Sequence, residues 1–199
     1  EIAHRQHVPA IAKTSGAALV AVVDPEKMPP GLPHFRDLQE LLRDGPDVDA
    51  VALCTPPQVR HAQAAAALAA GKHVLLEKPP GATVAELTPL IAAARQAGRT
   101  LFASWHSRFA PAIGAARQLL AGRTISKVSI IWKEDVRVWH PGQAWIFEAG
   151  GFGVFDPGIN ALSILTRILS KPVFVTAAEL SFPSNCQAPI AASLRLADI

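Results

Sequence analysis

Lys78 and the Asp156/Asn160 pair are residues of this 199-residue chain whose types and spacing could do chemistry. Lys78 follows Gly71-Lys72-His73-Val74-Leu75-Leu76-Glu77 and precedes Pro79-Pro80. The apolar run reads as a buried parallel strand that stops abruptly. In open parallel sheets, ligands bind at the carboxyl ends of strands. Pro79 disfavours helical geometry at the residue before it, which predicts an extended lysine at the strand tip. A lysine fixed there is a candidate catalytic group, although Lys-Pro alone also reads as a solvated lysine after a strand.

Asp156 opens the run Asp156-Pro157-Gly158-Ile159-Asn160. In a helix, Asp156 and Asn160 share one face. Asp-Pro is also the pattern of an N-cap followed by proline at the first helical position, and the two roles are compatible. Asp24-Pro25 ends another apolar run. In a dinucleotide-binding fold an acid there accepts hydrogen bonds from the adenosine ribose and repels a 2′-phosphate. The competing reading is ordinary turn chemistry. Thr55-Pro56-Pro57 closes a third run, as a rigid turn or a plain strand stop.

Two further stretches have weaker chemistry. Gly150-Gly151-Phe152-Gly153 lacks the spacing of a dinucleotide fingerprint and reads as a tight turn that lets the chain approach the neighbouring domain. Trp139 and His140 have no second ligand at zinc spacing, so no metal site is expected. An aromatic beside polar groups suits the face of a sugar ring, and an ordinary loop aromatic is the alternative.

The elements that must position these residues alternate. Helical spacing runs from Ile2 to Thr14, an apolar run from Ala17 to Val23, helical spacing again from Asp37 to Leu42, and a buried strand from Val48 to Cys54. Gln58 to Ala70 is an Ala-rich helix ended by Gly71. Thr83 to Ala97 predicts a helix with Thr83 as N-cap, Glu86 at capping-box spacing and Gly98 past its end. Thr100 to Ser104 is a further strand. This alternation means βαβ units and a parallel sheet.

After His106 the pattern changes. Ala110 to Ala121 is helical, and Ser126 to Val138 alternates like an antiparallel strand. A helix from Asp156 to about Leu169 and strands at Val173 to Leu180 and Ala191 to Leu196 complete about three strands of a second sheet. The fold class is therefore α/β. A partial doubly wound Rossmann sheet over residues 1–106 lacks its first strand and glycine turn. A partial α+β domain with a mostly antiparallel sheet follows over residues 107–199.

Composition bounds the function. Half the residues are hydrophobic and the net charge is +3, with no Lys/Arg block and no aromatic-basic interleaving. A nucleic-acid partner is not expected. The Gln63–Ala70 alanine run is too short for a membrane span. Cys54 and Cys186 lie far apart, and Cys54 sits in an apolar run, so a buried thiol in a reduced, cytoplasmic setting is expected.

Several motifs together carry a resemblance. Thr55-Pro56-Pro57, His61, Gly71-Lys72-His73-Val74 and Glu77-Lys78-Pro79 resemble the GFO/IDH/MocA oxidoreductases. In the second half, Trp105-His106-Ser107-Arg108-Phe109-Ala110, the run from Glu134 to Gln143, and Gly153 to Leu162 resemble the galactose/arabinose 1-dehydrogenase branch. The likeness covers essentially the whole chain. Glu1-Ile2-Ala3 resembles the end of the family's Gly-x-Gly-x-x-Ala turn, which implies a chain cut before Glu1 and after Ile199.

The resemblance implies oxidation of a galactose-like aldose at C1 to the lactone, with hydride transfer to NAD(P). It implies catalytic roles for Lys78, Asp156 and Asn160. Cofactor contacts fall to Ile2, Asp24, Thr55, Pro56, Glu77 and Lys78. His106, Glu134, Trp139, His140, Asp156 and Asn160 line the sugar site. Asn160 stands where the wider family often has histidine and cannot titrate, so acid–base work falls on Lys78 and Asp156, unranked. Members that use NADP tend to carry Ser-Arg where this chain has Asp24-Pro25, which favours NAD, with NADP as the alternative. The expected partners are a small sugar and a second copy in a homo-oligomer. Another sugar or polyol substrate, or a nucleotide-sensing regulator without turnover, are the competing readings.

Overall fold

The computed structural model describes residues 2–26 and 30–198. Glu1 and Ile199, the ends used in the reading of the termini, lie outside the described residues. The chain divides into two compact units, one ending at Ser104 and the other starting at Trp105.

The first unit begins with a π-helical turn (Ala3–His7) that runs into α1 (Val8–Lys13). β1 (Val22–Val23) pairs in parallel with β2 (His34–Phe35). Of the predicted strand at 17–23, only its last two residues find a ladder partner. α2 (Leu38–Asp44) is capped by Asp37, whose carboxylate accepts the Glu40 N–H. Then come β3 (Ala50–Leu53), α3 (Pro57–Ala69), β4 (His73–Glu77), α4 (Leu87–Gln96) and β5 (Leu101–Ser104). β3, β4 and β5 form a parallel sheet in that order, with β4 central and Glu77 opposite Ser104. β4 buries Val74 and Leu76 on one face, while His73 and Leu75 on the other are half-buried.

The core joins Leu53, Val74 and Leu76 of the sheet to Leu38 and Leu41 of α2, Ala64, Ala67 and Leu68 of α3, and Leu90 and Ala94 of α4. Alanines at 64 and 67 let α3 lie close on the strands. α4 starts three residues later than the capping box predicts. One of its bonds forms, with Glu86 N–H donating to Thr83 Oγ1 at 3.4 Å, whereas Glu86 Oε2 accepts from Ala82 N–H at 3.1 Å rather than from Thr83 N–H. They close a turn ahead of the helix, and Glu86 itself becomes the flanking residue.

In the second unit a 3-10 helix (His106–Phe109) leads into α5 (Pro111–Leu120). The predicted strand at 126–138 does not form. Alternation alone cannot make a strand without a ladder partner, and the segment stays irregular until the single turn α6 (Val136–Trp139). A second 3-10 helix (Ala144–Phe147) precedes α7 (Phe155–Ile168). β6 (Val173–Ser181) and β7 (Ala191–Asp198) pair antiparallel, with a bulge between Val175 and Ala177. The second sheet thus has two strands among the described residues, not three.

Glycines 151 and 153 make a tight turn, but the close approach is to their own unit. A Cβ on Gly151 would sit 2.2 Å from the Trp145 carbonyl oxygen, and one on Gly153 would sit 2.1 Å from that of Pro189. Gly153 also has φ +49°, which favours glycine. Its N–H bonds the Ile146 carbonyl, and the Val154 N–H bonds that of Pro189. These contacts seat the start of α7 against the 3-10 helix that carries Trp145.

Candidate active site

In the first unit the predicted residues gather at the carboxyl ends of β3 and β4. Thr55 and Pro56 follow β3, and Thr55 Oγ1 bonds Gln63 Oε1 at 2.5 Å. Glu77 is the last residue of β4, and the Lys78–Pro79 peptide is cis. The turn is held from below by Arg60 of α3, a guanidinium only 3% exposed. Its Nη1 donates to the carbonyl oxygens of Glu77 and Pro79, and its Nη2 to that of Thr55. One planar fork therefore ties the tips of two strands together and fixes the backbone on both sides of Lys78. Sequence reasoning missed Arg60. The signal was present: Pro57, Arg60, Ala64 and Ala67 share the buried stripe of α3, and a charge on such a stripe needs a buried partner.

Glu77 is 8% exposed. Its Oε1 meets His7 Nε2 at 2.7 Å, and its Oε2 accepts the Lys78 N–H at 2.8 Å. Burial raises the Glu77 pKa, but the bonds from His7, the Lys78 N–H and Ser104 outweigh it and hold the carboxyl below its usual value. His7 is pushed up to about 10 by hydrogen bonds to Cys54 first and Glu77 second, against burial. A protonated His7 beside a carboxylate leaves the pair neutral. His7 is 70 positions from Glu77 in the chain, and no local pattern marks it. Cys54, expected buried, is half-buried beside it, and both cysteines are free.

Asp24 follows β1, and its N–H bonds the Phe35 carbonyl. Its Oδ1 accepts the Glu26 N–H at 3.0 Å and its carbonyl meets His34 Nε2 at 2.7 Å, so the acid is anchored at the strand end. Ile2 lies exposed at the start of the first helix.

In the second unit the structure brings His140 and Asp156 together. Asp156 is not the cap of α7: that place is Val154's, and Asp156 is the second helical residue. It is 3% exposed. Its Oδ2 lies 2.9 Å from His140 Nε2. Asn160 lies one turn on along the same helix and is half-buried. The His140 ring is edge-on to Trp145, with centroids 5.9 Å apart, and its Nδ1 is 3.2 Å from Gln143 Oε1. Trp145 Nε1 donates to that same oxygen at 3.0 Å. His140-Pro141-Gly142-Gln143 makes this possible. Proline then glycine at φ +71° is type II turn chemistry, and the Gln143 N–H bonds the His140 carbonyl at 3.2 Å.

The other predicted residues are more exposed. The 3-10 helix of His106 packs against α7. Trp139 is 62% exposed at the end of α6, and Glu134 accepts the Trp132 Nε1–H at 2.7 Å. Gln143 and Trp145 were not marked by sequence reasoning, although the Pro-Gly turn was a signal for the first. No group of three metal-ligating side chains occurs among the described residues.

Comparison with known proteins gives the family and the fold. Residues 2–104 match the family model of GFO_IDH_MocA, described as an oxidoreductase family with an NAD-binding Rossmann fold. The chain is 54% identical to galactose 1-dehydrogenase of Pseudomonas fluorescens over 198 residues, which is 100% of this chain and 64% of that protein. It superposes on D-galactose-1-dehydrogenase from Rhizobium etli with a TM-score of 0.93 at 54% identity, covering 100% of this chain and 64% of the other. The WlbA dehydrogenase from Bordetella pertussis, in complex with NADH and UDP-GlcNAcA, shares the fold at a TM-score of 0.81 and 20% identity, over 98% of this chain and 60% of that one. The chain thus spans a little under two thirds of the length of the relatives it matches over its whole extent.

Proposed function

The chain belongs to the GFO/IDH/MocA oxidoreductases, with their NAD-binding Rossmann fold, and on that premise we propose that its protein oxidises a galactose-like aldose at C1 to the lactone. The observation that carries this reading is 54% identity to a galactose 1-dehydrogenase over the whole of this chain. When bound, a nicotinamide dinucleotide supplies the hydride acceptor. The residues present fit such a group. Asp24 offers an anchored carboxylate to a ribose diol, and its neighbour is Pro25 rather than a base, which favours NAD over NADP. Thr55 and Pro56 line the adjoining strand end.

Lys78 holds the C1 hydroxyl and steadies its developing charge. Asp156 takes or relays the hydroxyl proton, and Asn160 fixes the sugar by hydrogen bonds. His106, Glu134 and His140 pair with ring hydroxyls, and Trp139 offers its face to the pyranose C–H surface. A site that hydrogen-bonds an axial C4 hydroxyl rejects the equatorial epimer, because its polar groups are left unpaired. The partner is therefore a small sugar. A cytoplasmic setting and a homo-oligomer belong to the same reading; no helix among the described residues is long and apolar enough to cross a membrane.

The test is NADH formation by the full-length protein from D-galactose, L-arabinose and D-glucose. Galactose and arabinose should be oxidised and glucose poorly, and Lys78→Ala should lower turnover by roughly 100-fold or more. NAD binding without oxidation of any of the three sugars would refute the proposal.

A further inference from the structure

The bonds around His140 restrict where its protons can be. The indole Nε1–H of Trp145 only donates, so the Gln143 atom 3.0 Å away must be the amide oxygen. That oxygen is also the atom facing His140 Nδ1 at 3.2 Å. An oxygen cannot bond a bare ring nitrogen, so Nδ1 carries a proton. The other ring nitrogen, Nε2, faces Asp156 Oδ2 at 2.9 Å. Two lone pairs cannot share that separation either. A second proton therefore lies between them, on Nε2 or on Oδ2.

We infer that Gln143 is a positioning residue that fixes His140 with a proton on Nδ1 and so makes Asp156, His140 and Gln143 a proton relay. The inference rests on the sugar-oxidising reading for what the relay serves, but not for its existence. With the shared proton on Oδ2, the C1 hydroxyl proton passes to Asp156 Oδ1 as the Oδ2 proton moves to His140 Nε2. The carboxyl ends singly protonated, and the positive charge spreads over the imidazolium. Nδ1–H then donates more strongly to Gln143 Oε1. The pair has gained one proton, the hydroxyl has lost one, and the acidic charge has moved away from the sugar. Removing Gln143 frees His140 to place its single proton on Nε2, facing an ionised Asp156; the carboxylate then takes the hydroxyl proton but has none to pass to the ring, so the relay ends at Asp156.

The experiment is nitrogen-15 NMR of the histidine rings in the full-length protein, with the His140 signals assigned by their absence in His140→Asn. Wild type should show a protonated Nδ1. Gln143→Leu should lose it, and Gln143→Glu, which keeps an acceptor oxygen, should retain it. In steady-state kinetics Gln143→Leu should lower kcat by about tenfold or more with the sugar KM within about twofold, and Gln143→Glu should recover most of it. An unprotonated Nδ1 in wild type overturns the inference. So does a kcat in Gln143→Leu equal to wild type, or a loss in which kcat and KM move together with no change in the ring signals. If no sugar is oxidised at all, the function proposal fails separately, and a Gln143-dependent Nδ1 proton still upholds the lock.

Discussion

In the proposed role of Asp24 at the adenosine ribose, a carboxylate at residue 24 and no base at residue 25 would set opposite energies for the two nicotinamide cofactors. The anchored Asp24 can accept from two ribose hydroxyls, whereas a 2′-phosphate would bring like charges together. Turnover at matched NAD and NADP concentrations should favour NAD by at least about tenfold, the equivalent of about 1.4 kcal/mol. A preference for NADP would remove Asp24 from its assigned role. The same economy of single contacts holds at Asp156. Its identity was legible, but its partner His140 lies 16 positions away and is set by a turn.

At the scale of elements, α3 does more than cover the sheet. Its buried stripe ends in Arg60, whose fork satisfies three carbonyls at the tips of β3 and β4. Arg60→Met keeps the apolar stem and removes every donor. Each orphaned buried carbonyl costs about 1–3 kcal/mol, so the variant should lose roughly 3 kcal/mol or more in urea unfolding. It should also lower kcat, because the backbone around Lys78 is no longer fixed. Unchanged stability would mean that water or another donor replaces the guanidinium. The glycine turn before α7 is the counterpart in the second unit. Gly151 and Gly153 let two backbones meet where a side chain would not fit, which sets Asp156 beside His140.

For the molecule as a whole, the His7–Glu77 pair links stability to pH. His7 is raised from about 6.5 to about 10 in the fold. Its contribution is complete below the unfolded value of about 6.5 and is lost as pH rises through about 10. Glu77 is held below its usual value, so its contribution is present above about 4.3 and is lost as pH falls through its folded value. The melting temperature should therefore decline from pH 7 to 10, and His7→Gln should flatten that decline while lowering stability at pH 7. An identical slope in the variant would assign the pH dependence to other groups.

Sequence alone determined the elements whose signals are local. The apolar run before Glu77 is a central parallel strand, the alanine helix covers it, and residues 2–104 match an oxidoreductase family with an NAD-binding Rossmann fold. Period, turn residues and motif spacing are properties of neighbouring residues, so they can be read before folding. Tertiary structure decided the rest. It denied a strand to 126–138, moved the start of α4 and gave the α7 cap to Val154. It also supplied the side chains that hold the reactive groups: Arg60, His7 and Gln143. A ladder needs a partner strand, and a buried charge or amide needs a partner atom. Both are brought from distant parts of the chain by packing, and no local pattern specifies which surfaces will meet.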